Sequence, residues 1–184
     1  MTDLWRLPVK TVIGGQEYDL HTDYRDILEI FSYFEDPDLP EYLRWQIALA
    51  LFYEGQIPEK DFKEAADYLA FFIGCGQPQQ KPGPKLLDWQ TDAAAILADM
   101  NRVAGQEIRS LPFVHWWTFL SWFHSIGQGQ LSAIVGIREK LYRGKKLDGW
   151  EQEFYRENKN RVDMQKRYSR EELREQERLQ ALLK

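Results

Sequence analysis

Residues 112–126 are the stretch that any fold of this chain has to accommodate. They carry Phe113, Trp116, Trp117, Phe119, Leu120, Trp122 and Phe123, so a helix built on them is apolar on nearly every face. A helix of that kind belongs in a core or at an interface rather than on a wetted surface. It is not a membrane span: the apolar stretch 111–126 is shorter than the roughly 20 residues a bilayer needs and contains His115 and His124. The chain has 184 residues, enough to bury about two-thirds of its unfolded surface around such an element. An aromatic content of 14% excludes a wholly disordered chain, which lacks the large apolar groups that drive collapse.

Around that run, glycine and proline cut the chain into short elements. Residues 7–13 and 16–20 are β-prone and flank Gly14-Gly15. A Gly-Gly pair supplies the two positive-φ positions of a tight hairpin turn. From Thr22 or Asp23 the spacing turns helical, to about Phe34, and the Asp36-to-Pro40 segment breaks it. A second helix over 41–53 is apolar almost all round, which predicts burial. A third over 58–73 has a clear stripe of Phe62, Ala65, Ala66, Leu69, Phe72 and Ile73. Residues 77–84 hold three prolines and a glycine and read as a mobile loop. The spacing then predicts helices over 88–104, 112–126, 131–142 and 150–164. A Ser169-to-Glu172 capping box opens a last one. The expected fold is mainly α: seven or eight helices in a globular domain with a short N-terminal β-hairpin. We expect the hairpin in 1–22, a helical core domain in 23–142 and a charged helical extension in 143–184.

Charge is uneven. Residues 1–136 hold 10 basic and 19 acidic side chains, a balance of −9, while residues 137–184 hold 14 and 10, a balance of +4. A basic tail can meet nucleic acid or an acidic protein surface. Here the signs alternate at helical spacing, as in Glu153/Arg156, Glu157/Arg161, Glu171/Arg174 and Glu175/Arg178. That pattern favours a solvated, self-paired helix over a nucleic-acid arm.

Chemistry-bearing patterns are sparse. There is no phosphate-binding glycine loop, dinucleotide fingerprint, nucleophile elbow or paired-histidine zinc motif. The lone Cys75 excludes a disulfide framework and a thiolate zinc cage, and fits a reducing compartment. The start, MTDLWRLPVK, lacks the apolar region of a secretory signal. Asp19, His21 and Asp23 alternate and could converge on a metal; a hairpin running into a capped helix accounts for the same residues. Cys75, set between glycines, has no local base to make it a nucleophile. His115 and His124 stand nine residues apart, on opposite faces of a helix. His115 reads as an imidazole at the core edge, bonded to backbone or a carboxylate. We therefore expect no catalytic, cofactor-binding or metal residues. The residues expected to meet a partner are Trp116, Trp117, Trp122 and Trp150, because tryptophan is enriched at interface hot spots.

Three segments carry a resemblance. They are Tyr18-Asp-Leu-His-Thr-Asp-Tyr-Arg25, Asp88-Trp-Gln-Thr-Asp92, and Leu111-Pro-Phe-Val-His-Trp-Trp-Thr-Phe119. Together they resemble the bacteriophage gene-product-fifteen family of tailed phages and prophages, over roughly residues 8–145. His21 stands where that family tends to carry Asn, which a required metal ligand would not tolerate. The resemblance implies a non-enzymatic tail morphogenesis protein without cofactor, a tail assembly chaperone that binds the tape-measure protein and in some cases the tail tube protein. It implies action in the host cytoplasm and absence from the finished particle, with no membrane partner and with homo-oligomers left open. Two alternatives stand beside it: a nucleic-acid-binding or packaging-associated phage protein using the basic C-terminal tail, and a minor structural tail protein.

Overall fold

A computed structural model describes residues 5–77 and 83–182. The chain divides into two compact units, one of residues 1–79 and 166–184 and one of residues 80–165. The charged segment is thus shared between them: residues 143–165 group with the middle of the chain and the rest with its beginning. Residues 78–82 of the expected loop lie outside the described residues.

The first unit opens with strands β1 (Lys10–Ile13) and β2 (Gln16–Asp19), antiparallel, with Ile13 opposite Gln16. Gly14 and Gly15 have φ of 57° and 84°, the left-handed values a two-residue turn demands. The hairpin leans on the helices, as a lone hairpin must. Ile13 and Tyr18 are buried, and the Gly14 N–H donates to Glu64 at 3.1 Å. Helices α1 (Tyr24–Phe34), α2 (Glu41–Phe52) and α3 (Phe62–Ile73) follow. Asp23 caps α1, accepting from the Arg25 N–H at 2.9 Å. Arg44 on α2 donates to the Phe34 and Leu39 carbonyls, satisfying acceptors left over where α1 ends. Ile27, Ile30, Phe52, Leu69 and Phe72 are fully buried, each contributing roughly 1.5–3 kcal/mol of transfer free energy. After α2 the chain runs extended beside β2: Leu20 bridges Tyr53, and the Glu54 N–H donates to the Asp19 carbonyl at 2.9 Å.

Helix α2 departs from the expectation of burial all round. Ala48, Leu49 and Phe52 are buried, while Tyr42 is 64% exposed. An apolar sequence on every side does not make neighbours on every side; α2 packs on α1 and α3 and leaves its start in water. The unit closes with α9 (Arg170–Leu182), opened by the expected box: Ser169 and Glu172 exchange side-chain and backbone bonds of 3.1 and 2.8 Å. The Arg170 N–H donates to Asp38 at 2.8 Å, and Arg167 pairs with Glu35 at 2.9 Å. Beyond that anchorage the side chains of residues 170–181 are all exposed.

The second unit comprises α4 (Ala93–Ala104), α5 (Trp116–His124), α6 (Gln130–Tyr142), α7 (Gly149–Glu157) and α8 (Lys159–Val162). Helix α4 packs on α5 and α6, and α6 packs on α7 and α8. Two helices start later than their apolar spacing suggests, for one reason: a side chain takes the backbone donors first. Asp88 accepts from the Gln90 and Thr91 N–H groups at 3.0 and 2.9 Å, so α4 begins at Ala93. The buried His115 Nδ1 accepts from the Trp117 N–H at 3.1 Å, so α5 begins at Trp116. The expected helix over 150–164 breaks at Asn158 into α7 and α8.

Candidate interaction surface

Of the polar residues that sequence spacing singles out, Asp23 and His115 serve as helix caps. Asp23 caps α1, and the His21 N–H donates to the Phe52 carbonyl at 2.8 Å; no group of three metal-ligating side chains occurs among the described residues. Cys75 adopts φ 52° at the end of α3, and burial pushes its thiol up to about 11, away from the thiolate that nucleophilic chemistry needs. His115 is an N-cap, the backbone-bonded role its place in the sequence suggests.

A set of charged residues that sequence reading passes over holds the second unit together. Arg138 on α6 is buried, and all its donors are used. Its Nε donates to the Val162 carbonyl at 2.7 Å, and its Nη1 to the Leu86 carbonyl at 2.9 Å and to Asp92 at 2.6 Å. Its Nη2 donates to Asp92 at 2.9 Å and to the Arg161 carbonyl at 2.8 Å. One guanidinium thus ties α6 to the turn before α4 and to the last carbonyls of α8, the planar five-donor fork put to full use. Asp99, buried on α4, accepts from the Leu131 N–H at 3.0 Å and so caps α6 from another helix. Glu151 at the start of α7 is buried and bonded to Lys140 of α6. It also reciprocates Asp148 in a second capping box. The nearest sequence signal was the alternating charge of residues 137–184, which reads as solvation.

The four tryptophans separate. Trp116 and Trp117 are 1% and 7% exposed. Trp116 stacks on Phe119 at 5.4 Å, and Trp89 edges onto it at 6.1 Å; this pair is core. Trp122 is half-buried. Trp150 is 56% exposed at the start of α7, its ring 6.4 Å from that of Phe154. It closes a segment in which Leu141 and Tyr142 are also exposed.

Basic residues share that segment. Arg143 pairs with Glu139 at 2.6 Å, and Lys140 with Asp148 and Glu151. Lys145 and Lys146 are exposed. Elsewhere in residues 137–184 the charges are more bound than a free basic arm requires. Arg138, Arg167 and Arg170 reach carboxylates far upstream, at Asp92, Glu35 and Asp38. Glu153–Arg156 and Glu175–Arg178 make the expected helical pairs at 3.9 and 4.0 Å. The α6–α7 junction, where Tyr142, Lys145, Lys146 and Trp150 are all exposed, is therefore a candidate contact surface that combines aromatic groups and cations. No helix among the described residues is long and apolar enough to cross a membrane.

Comparison with known proteins gives one family. A family model described as "Bacteriophage Gp15 protein" matches residues 4–164. No curated protein and no solved structure matches.

Proposed function

Because the chain belongs to the bacteriophage Gp15 family, we propose that this phage protein is a non-enzymatic tail assembly chaperone that binds the tape-measure protein in the host cytoplasm. The single observation that supports the reading is the α6–α7 junction. Tyr142 and Trp150 are 69% and 56% exposed, beside the cations of Lys145 and Lys146. A chaperone for a long helical client needs an apolar anchor to hold an amphipathic helix and a charged rim that lets it go.

The test is co-expression of the chain with a fragment of the tape-measure protein from the same phage genome. The fragment gains solubility with the chain present and co-purifies with it; Trp150→Ser combined with Lys145→Glu and Lys146→Glu abolishes both effects. No gain in solubility overturns the reading. Mass spectrometry of purified virions that finds the chain in the finished tail makes it a minor structural protein instead. Duplex-DNA binding that weakens steeply with salt and depends on Lys145 and Lys146 makes the junction a nucleic-acid contact.

A further inference from the structure

The two edges of the hairpin are not equivalent. Along β2 the outer edge is partly covered, where Asp19 accepts from Glu54 and Leu20 bridges Tyr53. Along β1 it is open. Ile13 and Gln16 close a two-residue turn, and the Leu20 N–H donates to the Val9 carbonyl. Inward hydrogen bonding therefore falls on residues 9, 11 and 13, and the backbone groups of Lys10 and Val12 point outward. Among the described residues those outward groups have no hydrogen-bond partner. An edge of this kind is a template for another strand.

Of the devices that usually blunt an edge, β1 has brevity and one lysine, and lacks the others. β1 holds no proline and no bulge. Its one cation is already committed: Lys10 lies 3.2 Å from Glu17 and 3.3 Å from Asp19. Leu7, Val9 and Val12 are 49%, 51% and 56% exposed, an apolar fringe on a strand with no second strand on this edge among the described residues.

We propose that β1 pairs with β1 of a second copy of this chain, antiparallel about a two-fold axis at Thr11, to give a continuous four-stranded sheet. The choice of a second copy rests on self-complementarity. A two-fold at Thr11 sets Lys10 opposite Val12 of the copy and Val12 opposite its Lys10. The four outward N–H and C=O groups of one edge then meet the same four of the other, in the hydrogen-bonded positions of the ladder. Val12 is covered by the aliphatic stem of the facing Lys10, whose ammonium stays with its own Glu17 and Asp19, so no unpaired like charges meet. Val9 lands opposite Ile13 of the copy. A closed isologous pair also consumes the edge, leaving none to propagate. Four residues a side make a small interface, so the pairing is a concentration-dependent equilibrium.

Sedimentation equilibrium of the full chain, from micromolar to near-millimolar protein, tests this, together with amide hydrogen exchange at Lys10 and Val12. Dimer forms as concentration rises, and those two amides slow with it. Val12→Pro removes only an outward N–H and no bond of the β1–β2 ladder; Val12→Lys keeps the strand and adds a repelling charge. Each lowers the association constant at least about tenfold, with the circular dichroism spectrum unchanged. If Val12→Pro disturbs the fold, Val12→Lys decides. A chain that is monomeric throughout, a dimer that survives Val12→Lys, or a dimer in which the Lys10 and Val12 amides still exchange freely overturns the proposal.

Discussion

In the unit of residues 1–79 and 166–184, Thr22 is the one buried polar side chain among the described residues; in the unit of residues 80–165 there are Asp88, Asp92, Asp99, His115, Arg138 and Glu151. The first unit has three helices of 11 or 12 residues with apolar stripes that meet, and packing suffices. The second includes α7 of nine residues and α8 of four, too short to hold their ends by packing alone. Side chains from other elements supply the missing partners. At α7 and α8 buried charge does the work of helix length, at a desolvation cost that complete hydrogen bonding offsets.

Substitution at one anchor from each unit is the sharpest way to break that comparison. Arg138→Ala leaves Asp92 buried and unpaired and costs about 3–5 kcal/mol. Replacing both, with Arg138→Met and Asp92→Leu, recovers only the part due to the unpaired carboxylate, since the Leu86, Arg161 and Val162 carbonyls stay without their donor. Phe72→Ala in the first unit costs a similar 3–5 kcal/mol by cavity formation, and no second polar substitution rescues it. Denaturant midpoints measure all of these; a double variant no better than Arg138→Ala would erase the distinction. Asp99→Ala comes next, at about 1–3 kcal/mol, since it strips α6 of its cap and leaves the Leu131 N–H without an acceptor; amide exchange at Leu131 reports the loss.

Acid probes the second unit more gently. Arg109, through its side chain and its N–H, with Asn101 beside it, holds the Glu107 carboxyl down to about 2 from an ordinary 4.5. A depressed carboxyl contributes stability that is fully present above about 4.5 and is lost as pH falls towards 2. The stability gap between the wild type and Glu107→Gln therefore closes across that window, measured by thermal melts. Smallest is the response of Cys75 in the first unit. With the thiol at about 11, roughly one molecule in a thousand is thiolate at pH 8, so iodoacetamide labels the native chain far more slowly than the unfolded one.

What could be read in the sequence tracks the distance over which each feature acts. The Gly14-Gly15 turn, the Asp23 cap and the Ser169 box are legible because their partners lie within a few residues. The mainly α fold and the family follow from the same local marks. Arg138 and Asp92 are 46 residues apart and Asp99 and Leu131 are 32 apart. Nothing local marks such pairs, and a basic residue among alternating charges looks solvated. The tryptophans of α5 were ambiguous for another reason: a helix apolar on every face does not say which face finds a neighbour, so burial of Trp116 and half-exposure of Trp122 needed coordinates.

Gly129 shows where this leads. Its φ is −176°, extended backbone that any residue adopts, so conformation does not demand glycine there. Space does: a Cβ at that position would run into the Asp99 carboxylate. The N-cap position of α6 has in effect lent its side chain to α4. The two sites should therefore vary as one. Asp99→Ala opens room for Gly129→Asp, which would restore a cap from within α6 but without the tie to α4. Comparing the single and double variants then divides what the carboxylate gives the helix from what it gives the fold.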